Sequence, residues 1–142
     1  MYLIALCDDE AAEMEKIKSL LEQYQEWHGD CPFQIDCFVN VNELLIRMEE
    51  SGYMPDILFM DIYMPEKMGI QAAQEIREMG NGCRIIFLTS SKEYALEAYQ
   101  VDAVQYLLKP ISDKELFPVL DKTLRAMERE QQKHLLLRID GT

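Results

Sequence analysis

Short apolar runs alternate with longer stretches of helical periodicity along the chain. Leu3 to Cys7 is such a run, and the stretch after it repeats apolar side chains every three or four residues. The same pair of patterns recurs four more times, which predicts five β-α units. The predicted strands are 3–7, 33–38, 56–60, 84–88 and 103–108, and the predicted helices are 11–27, 41–50, 70–79, 92–99 and 112–133.

Strands that read as continuous apolar runs are typical of a parallel sheet covered on both faces. Right-handed crossovers place helices on each side of such a sheet, so we expect a doubly wound α/β fold with a five-stranded parallel sheet. Two helices show their predicted buried face, formed by Met14, Ile17, Leu21 and Tyr24 in the first and by Ile70, Ala73, Ile76 and Met79 in the third. The sequence Gly80-Asn81-Gly82 predicts the end of the third helix.

The predicted fifth helix carries two opposing signals. Ser112 and Glu115 have the spacing of a capping box. Pro118 follows about one turn later and predicts that the helix kinks or restarts there.

Composition narrows the class of protein. A chain of 142 residues with 49% hydrophobic residues fits one globular domain. Its net charge of -12, from 14 basic and 26 acidic side chains, disfavours contact with nucleic acid or anionic lipid. Met1 leads directly into a short apolar run without a basic leader, and no run approaches the roughly 20 residues of a membrane span. We therefore expect a cytoplasmic protein with no membrane contact.

The four cysteines show no spacing typical of a zinc site or of a redox pair. Cys7, Cys31, Cys37 and Cys83 are predicted to be reduced and mostly buried thiols. Redox sensitivity of Cys7 is the alternative, although no basic residue adjoins it to lower its pKa.

Polar residues follow four of the predicted strands. Asp8, Asp9 and Glu10 come after the first strand, and Asp61 comes after the third. Thr89 comes after the fourth strand, and Lys109 followed by Pro110 comes after the fifth. Because ligands of doubly wound sheets bind at the carboxyl ends of the strands, we expect these side chains to meet in one cleft.

Each of these residues also has an ordinary structural interpretation. Asp9 is suited to capping a helix, Lys109 to being a solvated surface charge, and Thr89 to ending a strand. Together, however, three clustered carboxylates repel one another unless a cation or proton neutralises them. Mg²⁺ suits hard oxygen ligands and phosphate, and Ca²⁺ or Mn²⁺ would also fit. The combination with a lysine and a hydroxyl favours phosphoryl chemistry.

These motifs together resemble those of response regulator receiver domains, the CheY-like family. The resemblance spans residues 2 to about 130 and rests on Asp8-Asp9-Glu10, Asp61 within Met60-Asp61-Ile62-Tyr63-Met64-Pro65, Thr89, and Lys109-Pro110. It implies the sheet order 2-1-3-4-5. It also implies a phosphoacceptor that catalyses its own modification and is not a conventional turnover enzyme.

The resemblance further implies a role for each site residue. Asp61 would accept a phosphoryl group from a sensor histidine kinase. The Mg²⁺ ligands would be Asp9, Asp61 and the backbone carbonyl of Tyr63, with Asp8 acting through metal-bound water. Lys109 and Thr89 would bind the phosphoryl oxygens, and Tyr106 would be the aromatic switch that rotates inward. An ordinary edge-strand aromatic is the alternative interpretation of Tyr106.

A finer resemblance, to receivers of the LytTR class (LytR/AgrA-like), lies in residues 94–99 and 101–111. It implies a receiver over 1–133, with 134–142 beginning a linker or strand that leads to an absent C-terminal DNA-binding domain. Leu135 to Ile139 would be the opening strand of that domain, and a native tail is the alternative. The resemblance also implies transcription regulation, DNA contact only through the absent domain, and a homodimer through the face of the fourth helix, fifth strand and fifth helix.

Two other functional classes fit parts of the pattern. A phosphohydrolase of the haloacid dehalogenase type also uses an aspartate, Mg²⁺ and a lysine, but Asp61-Ile62-Tyr63 lacks the second acid of its D-x-D motif. A degenerate receiver would keep the fold without the chemistry, yet every motif acid is present. Ser90 departs from the very small residue usual after Thr89, which bears on the phosphorylation rate.

Overall fold

The five predicted strands form one parallel sheet in the order β2-β1-β3-β4-β5, as expected. The computed structural model describes residues 1–29 and 32–140, and side chains up to residue 137. The strands are β1 (Tyr2–Cys7), β2 (Phe33–Phe38), β3 (Ile57–Asp61), β4 (Arg84–Thr89) and β5 (Gln105–Leu108). The helices are α1 (Ala11–Trp27), α2 (Val41–Ser51), α3 (Gly69–Glu78), α4 (Ala95–Gln100) and α5 (Asp113–Asp140).

The chain divides into two compact units, residues 1–111 and residues 112–142. The first unit contains the sheet and α1 to α4, and the second contains α5.

The sheet of the first unit is buried on both faces. Because successive side chains of a strand point to opposite faces, the three central strands β1, β3 and β4 each supply two sets of core residues. One set joins side chains of α2, α3 and α4 in a single cluster, and its strand members are Ala5, Cys7, Phe38, Leu58, Met60, Ile85 and Phe87. The other set is equally buried and comprises Ile4, Leu6, Ile57, Phe59, Ile86 and Leu88. Among the described residues α1 contributes nothing to the cluster and contacts β1 and β2, so it covers the opposite face.

The first helix buries the face that the sequence predicts, and the third helix does so in part. Met14, Ile17, Leu21 and Tyr24 of α1 are all buried. In α3, Ile70, Ala73 and Ile76 are buried, but the prediction for Met79 is wrong, because α3 ends at Glu78 and Met79 is 39% exposed. Gly80 follows with φ of 78°, a left-handed conformation that ends a helix readily at glycine.

A single guanidinium group joins three segments, which are the end of α3, the start of β4 and the turn after α4. Arg77, in the last turn of α3, donates hydrogen bonds to the carbonyl oxygens of Val101 at 2.8 Å and Cys83 at 2.8 Å. It also donates to the carbonyl oxygens of Asn81 at 3.0 Å and Asp102 at 3.3 Å. The end of α3, the start of β4 and the turn after α4 are therefore held by one side chain.

Three expectations concern the second unit: the capping box, the restart at Pro118 and the strand over residues 135–139. The capping box is confirmed in part: the Ser112 amide and hydroxyl both donate to the Glu115 carboxylate, the amide at 2.8 Å, but the Glu115 amide donates to the Ser112 carbonyl oxygen and not to its hydroxyl. Pro118 lies inside one continuous helix, so the expected restart is wrong. A proline in the second turn removes one backbone hydrogen bond, and the bonds on either side continue the helix.

The predicted strand over Leu135 to Ile139 is also wrong, because α5 continues to Asp140. A short apolar run does not distinguish strand from helix, and leucine is a strong helix former. Leu135, Leu136 and Leu137 are each about 60% exposed on this helix.

The described cysteines differ in burial. Cys7 and Cys83 are buried as predicted, but Cys37 is exposed. Cys37 lies in β2 at the edge of the sheet, where one face is less covered. Cys31 lies outside the described residues.

In the described part of the chain, no helix has both the length and the apolar character that crossing a bilayer requires.

Candidate functional site

The parallel sheet brings the polar strand ends to one edge. Asp8 directly follows β1, and Asp61 is the last residue of β3. Thr89 is the last residue of β4 and pairs in register with Leu108, which directly precedes Lys109. The predicted site residues therefore lie at neighbouring strand ends although up to 101 positions separate them in sequence.

Three carboxylates converge at this edge. Asp8, Asp9 and Asp61 each offer an oxygen, and these oxygens all lie within 4.8 Å of one another. Asp8 and Asp61 are 7% and 6% exposed, whereas Asp9 is open to solvent. A set of hard oxygen donors with one open side fits a divalent cation such as Mg²⁺, which keeps several of its waters.

The capping interpretation of Asp9 does not hold. The N-cap of α1 is Glu10, and its side chain makes no capping hydrogen bond. The Glu10 amide instead donates to Oδ1 of Asp8 at 2.9 Å. Asp9 is therefore left to face the cluster.

The amine of Lys109 lies between the two buried carboxylates. Its Nζ is 2.9 Å from Oδ2 of Asp8 and 3.2 Å from Oδ2 of Asp61. Burial disfavours the charged amine, but the hydrogen bond to Asp8 and the charge of Asp61 outweigh it and raise the pKa of Lys109. Lys109 thus stays cationic and is not the solvated surface charge of the alternative interpretation.

Asp61 is held in an environment that opposes its charge. Burial raises the pKa of the Asp61 carboxyl, and the nearby Asp8 adds to this, while Lys109 and the Tyr63 amide act against it. The Tyr63 amide donates to Oδ1 of Asp61 at 3.2 Å. Lys109 therefore favours the ionised form of Asp61 against the effect of burial.

The hydroxyl of Thr89 is buried without a partner. Thr89 is 0% exposed, and its Oγ1 has no hydrogen-bond partner among the described residues. The Lys109 amide donates to the Thr89 carbonyl oxygen at 2.7 Å, so the backbone there is satisfied. An unpaired buried hydroxyl at a strand end is unusual and marks a group able to bind a polar ligand.

An open cleft of about 440 Å³ adjoins these groups. Ser90 lies on its wall and is exposed, so a hydroxyl faces the space beside Asp61. The cleft is lined by Glu10, Glu13, Asp61, Tyr63, Ser90, Lys109 and Pro110. It is large enough for a phosphoryl group and open to a partner that delivers one.

Tyr106 lies outside the acidic cluster but is bonded to the segment after β4. Its hydroxyl donates to the carbonyl oxygen of Ser91 and accepts from the Tyr94 amide at 3.4 Å. Tyr106 is partly buried and lies on β5, which pairs only with β4 within the described sheet. It is therefore an edge-strand aromatic that also holds the neighbouring loop.

Two residues near the site escaped the sequence analysis. A Cβ added to Gly69 would lie 2.3 Å from the carbonyl oxygen of Asp61, so only glycine allows α3 to start against that strand end. The signal available was a glycine opening a predicted helix, where a capping residue is usual. Glu13 lies 4.0 Å from Nζ of Lys109, because it is in the first turn of α1 at the same edge.

Cys7 shows no sign of reactivity. Burial, with the carboxylates of Asp8 and Asp61, raises the pKa of its thiol to about 12. Since the thiolate is the reactive form, this environment opposes the redox alternative.

Comparison with known proteins gives a consistent result. The family model of the response regulator receiver domain matches residues 4–121. The chain is 30% identical to the sensory transduction protein LytT of Bacillus cereus, an alignment that covers 100% of this chain and 55% of LytT. It is 31% identical to the transcriptional regulatory protein BtsR of Salmonella typhi, over 94% of this chain and 51% of BtsR. The chain thus spans about half the length of these relatives.

Solved structures agree on the fold. The response regulatory domain of mrkE from Klebsiella pneumoniae superposes with a TM-score of 0.78 at 25% identity, covering 89% of this chain and 98% of that domain. A CheY-like receiver domain protein from Methanospirillum hungatei gives a TM-score of 0.76 at 21% identity, covering 92% of this chain and 98% of the other. The second likeness concerns the fold alone.

Proposed function

The chain belongs to the response regulator receiver domain family, and we propose that it acts as a phosphoacceptor with Asp61 as the modified residue. The observation that carries the proposal is the convergence of Asp8, Asp9 and Asp61 with the amine of Lys109 at one sheet edge. Any one of these groups alone would not indicate a reaction. Their combination supplies a nucleophile, a cation site and a fixed positive charge within one cleft.

In the proposed reaction, a carboxylate oxygen of Asp61 attacks phosphorus. The bond from phosphorus to the imidazole nitrogen of a phosphohistidine breaks as the new bond to oxygen forms, and the imidazole leaves after taking up a proton. Such a transfer asks the protein mainly to position the groups and to balance charge. The domain modifies itself once, so it is a phosphoacceptor and not a conventional turnover enzyme.

Asp8, Asp9 and Asp61, with the backbone carbonyl of Tyr63, would hold Mg²⁺, and Asp8 would act through metal-bound water. The three carboxylates fit such an ion, because their oxygens are hard donors within 4.8 Å of one another and Asp9 is open to solvent. When bound, Mg²⁺ supplies positive charge to the phosphoryl oxygens.

Lys109 and Thr89 would receive the remaining phosphoryl oxygens. Lys109 already bonds to Asp61, and the Thr89 hydroxyl has no other acceptor among the described residues. Occupying Thr89 would move the segment after β4, to which Tyr106 is bonded. Tyr106 would then be the switch that transmits the change by rotating inward.

We further propose that the donor is a sensor histidine kinase and that the output is transcription. LytT is named a sensory transduction protein and BtsR a transcriptional regulatory protein, and each extends well beyond the matched part. A LytTR-type DNA-binding domain would then carry the DNA contact, since the net charge of -12 disfavours contact by this chain itself. Exposed side chains on α4 and β5, among them Leu96, Tyr99 and Leu108, support a homodimer through the face that includes these elements.

The test is to incubate the protein with acetyl phosphate and Mg²⁺ and to follow its mass. We expect one added phosphoryl group on the wild type and none on Asp61→Asn. The matched control is Asp102→Asn, since Asp102 is exposed and has φ of 56°, which asparagine tolerates. An unmodified wild type that also ignores beryllium fluoride would contradict the proposal and leave a receiver that acts only as an interaction module.

A further inference from the structure

The side chain of Tyr63 connects two loops at the site edge. Tyr63 lies two residues after Asp61, and its hydroxyl donates to the carboxylate of Glu93 at 3.1 Å. Its ring also packs edge-on against Tyr94, with ring centroids 5.7 Å apart. The loop after β3 is thus tied to the segment between β4 and α4, residues 90–94.

Side chains provide most of the hydrogen bonds to this segment. The Glu93 amide bonds to the Ser91 hydroxyl at 3.1 Å, and the Tyr94 amide bonds to the Tyr106 hydroxyl at 3.4 Å. The Tyr106 hydroxyl also donates to the Ser91 carbonyl oxygen. Tyr106 therefore holds the segment from β5, and Tyr63 holds it from the loop after β3.

Tyr63 is connected to Asp61 through its own backbone. Its amide donates to Oδ1 of Asp61, while Lys109 donates to Oδ2 of the same carboxylate. Esterification of Asp61 would turn that carboxylate into a neutral acyl group, and the Tyr63 amide would lose a charged acceptor. One residue thus contacts both the modified group and the segment that is expected to move.

From this geometry we propose that Tyr63 is a positioning residue that restrains segment 90–94 in its unmodified arrangement through Glu93 and Tyr94. The inference rests on the proposed function and deepens it, since it concerns regulation of the same site. Inward rotation of Tyr106 releases Ser91 and the Tyr94 amide, but the segment stays tied until the contact from Tyr63 also breaks. The strength of that contact sets how readily the unmodified domain adopts the other arrangement.

Tyr63→Phe removes the hydroxyl and keeps the ring. It therefore tests the hydrogen bond to Glu93 while the edge-on packing against Tyr94 is retained. The matched control is Tyr99→Phe, since Tyr99 is on α4 nearby and is 79% exposed. The first measurement is amide hydrogen exchange of residues 90–94 in the unmodified protein. We expect exchange at Glu93 and Tyr94 to be faster by about threefold or more in Tyr63→Phe, and unchanged in Tyr99→Phe.

The second measurement is a beryllium fluoride titration in excess Mg²⁺, followed by the amide resonances of the segment. We expect the midpoint to fall by about threefold in Tyr63→Phe, because less restraint opposes the change. Glu93→Ala should lower the midpoint at least as much, because it also removes the acceptor of the Ser91 hydroxyl. The double variant should add little to Glu93→Ala, since both substitutions remove the hydrogen bond between Tyr63 and Glu93. The affinity for Mg²⁺ alone should not change, because the proposed ligand from Tyr63 is its backbone carbonyl.

Several results would overturn the inference. Exchange and midpoint equal to those of Tyr99→Phe would show that the contact restrains nothing. Faster exchange with an unchanged midpoint would show a contact that does not oppose switching. A wild type that fails to respond to beryllium fluoride contradicts the proposed function instead, and the exchange rates then decide on the restraint by themselves.

Discussion

The amine of Lys109 donates hydrogen bonds to two carboxylates, and its chemical role follows from both. Its amine bonds to Asp8 and Asp61 at once, so it offsets the repulsion between carboxylates that burial brings together. A divalent cation would compete with this lysine for the same oxygens. With Mg²⁺ bound as proposed, the charge of the unmodified site would be balanced by one fixed cation, Lys109, and one exchangeable cation.

Gly69 gives a sharp prediction at the residue scale. In Gly69→Ala the new Cβ would lie 2.3 Å from the Asp61 carbonyl oxygen and 2.9 Å from Cα of Ile62. Both atoms are backbone, so the strand end that carries Asp61 must shift. We expect a loss of about 2 kcal/mol or more in the free energy of unfolding, measured by urea denaturation.

The matched control is Gly82→Ala. A Cβ there meets only the Met54 side-chain terminus at 3.8 Å, an ordinary contact. Its free energy of unfolding should stay within about 0.5 kcal/mol of wild type. Equal losses in the two variants would show that the close approach at Gly69 does not decide stability.

Sequence patterns located the site residues because each directly follows an apolar strand. Asp8, Asp61, Thr89 and Lys109 are readable in this way, since strand ends of a parallel sheet share one edge. The contact of Tyr63 with Glu93 could not be predicted from the sequence. It depends on how two loops approach each other, and neither periodicity nor strand order determines that.

At the scale of elements, the capping box of α5 predicts a pH dependence. Hydrogen bonds from the Ser112 hydroxyl and amide lower the pKa of the Glu115 carboxyl below its ordinary value. Because the pKa is lower in the folded state, the ionised Glu115 stabilises the fold at pH values above the ordinary carboxyl pKa. This stabilisation is lost as the pH falls through the lowered pKa. The difference in urea midpoint between wild type and Glu115→Gln should therefore be largest near neutral pH and shrink on acidification.

Glu128→Gln is the control for that experiment, because Glu128 lies on the exposed part of the same helix. Its difference from wild type should not follow the same pH course. A difference for Glu115→Gln that is constant from neutral to acidic pH would contradict the role of the capping carboxylate.

The elements themselves were predictable to different degrees. All five strands and the first two helices follow from the pattern with end shifts of at most two residues. The three central strands are the clearest, because burial on both faces leaves a continuous apolar run. The α4 helix starts at Ala95 instead of Lys92, since residues 92–94 bond through side chains and turns. The apolar run Leu135 to Ile139 was misread because its length suits either a strand or a helix turn.

At the scale of the whole molecule, the surplus of acidic groups predicts a response to divalent cations. Mg²⁺ that binds only the folded state should raise the free energy of unfolding by about 1.4 kcal/mol when its concentration is roughly ten times Kd. Thermal unfolding with and without Mg²⁺ measures this. NaCl at matched ionic strength separates specific binding from screening of the net charge of -12.

Asp9→Asn should remove most of the Mg²⁺ effect, because Asp9 is the solvent-facing member of the carboxylate cluster. Asp102→Asn should keep it, since Asp102 lies in the turn after α4. Equal stabilisation of both variants would place the cation elsewhere on the acidic surface.

The four carbonyl bonds of Arg77 have a consequence for α4. That helix is only six residues long, and the guanidinium anchors the Val101 carbonyl at its carboxyl end. At its amino end, Tyr94 packs against the ring of Tyr63 and donates its amide to the hydroxyl of Tyr106. If those contacts break, Arg77 still fixes the carboxyl end of α4 and the start of β4. We therefore expect α4 to rotate about Val101, so that its amino end moves.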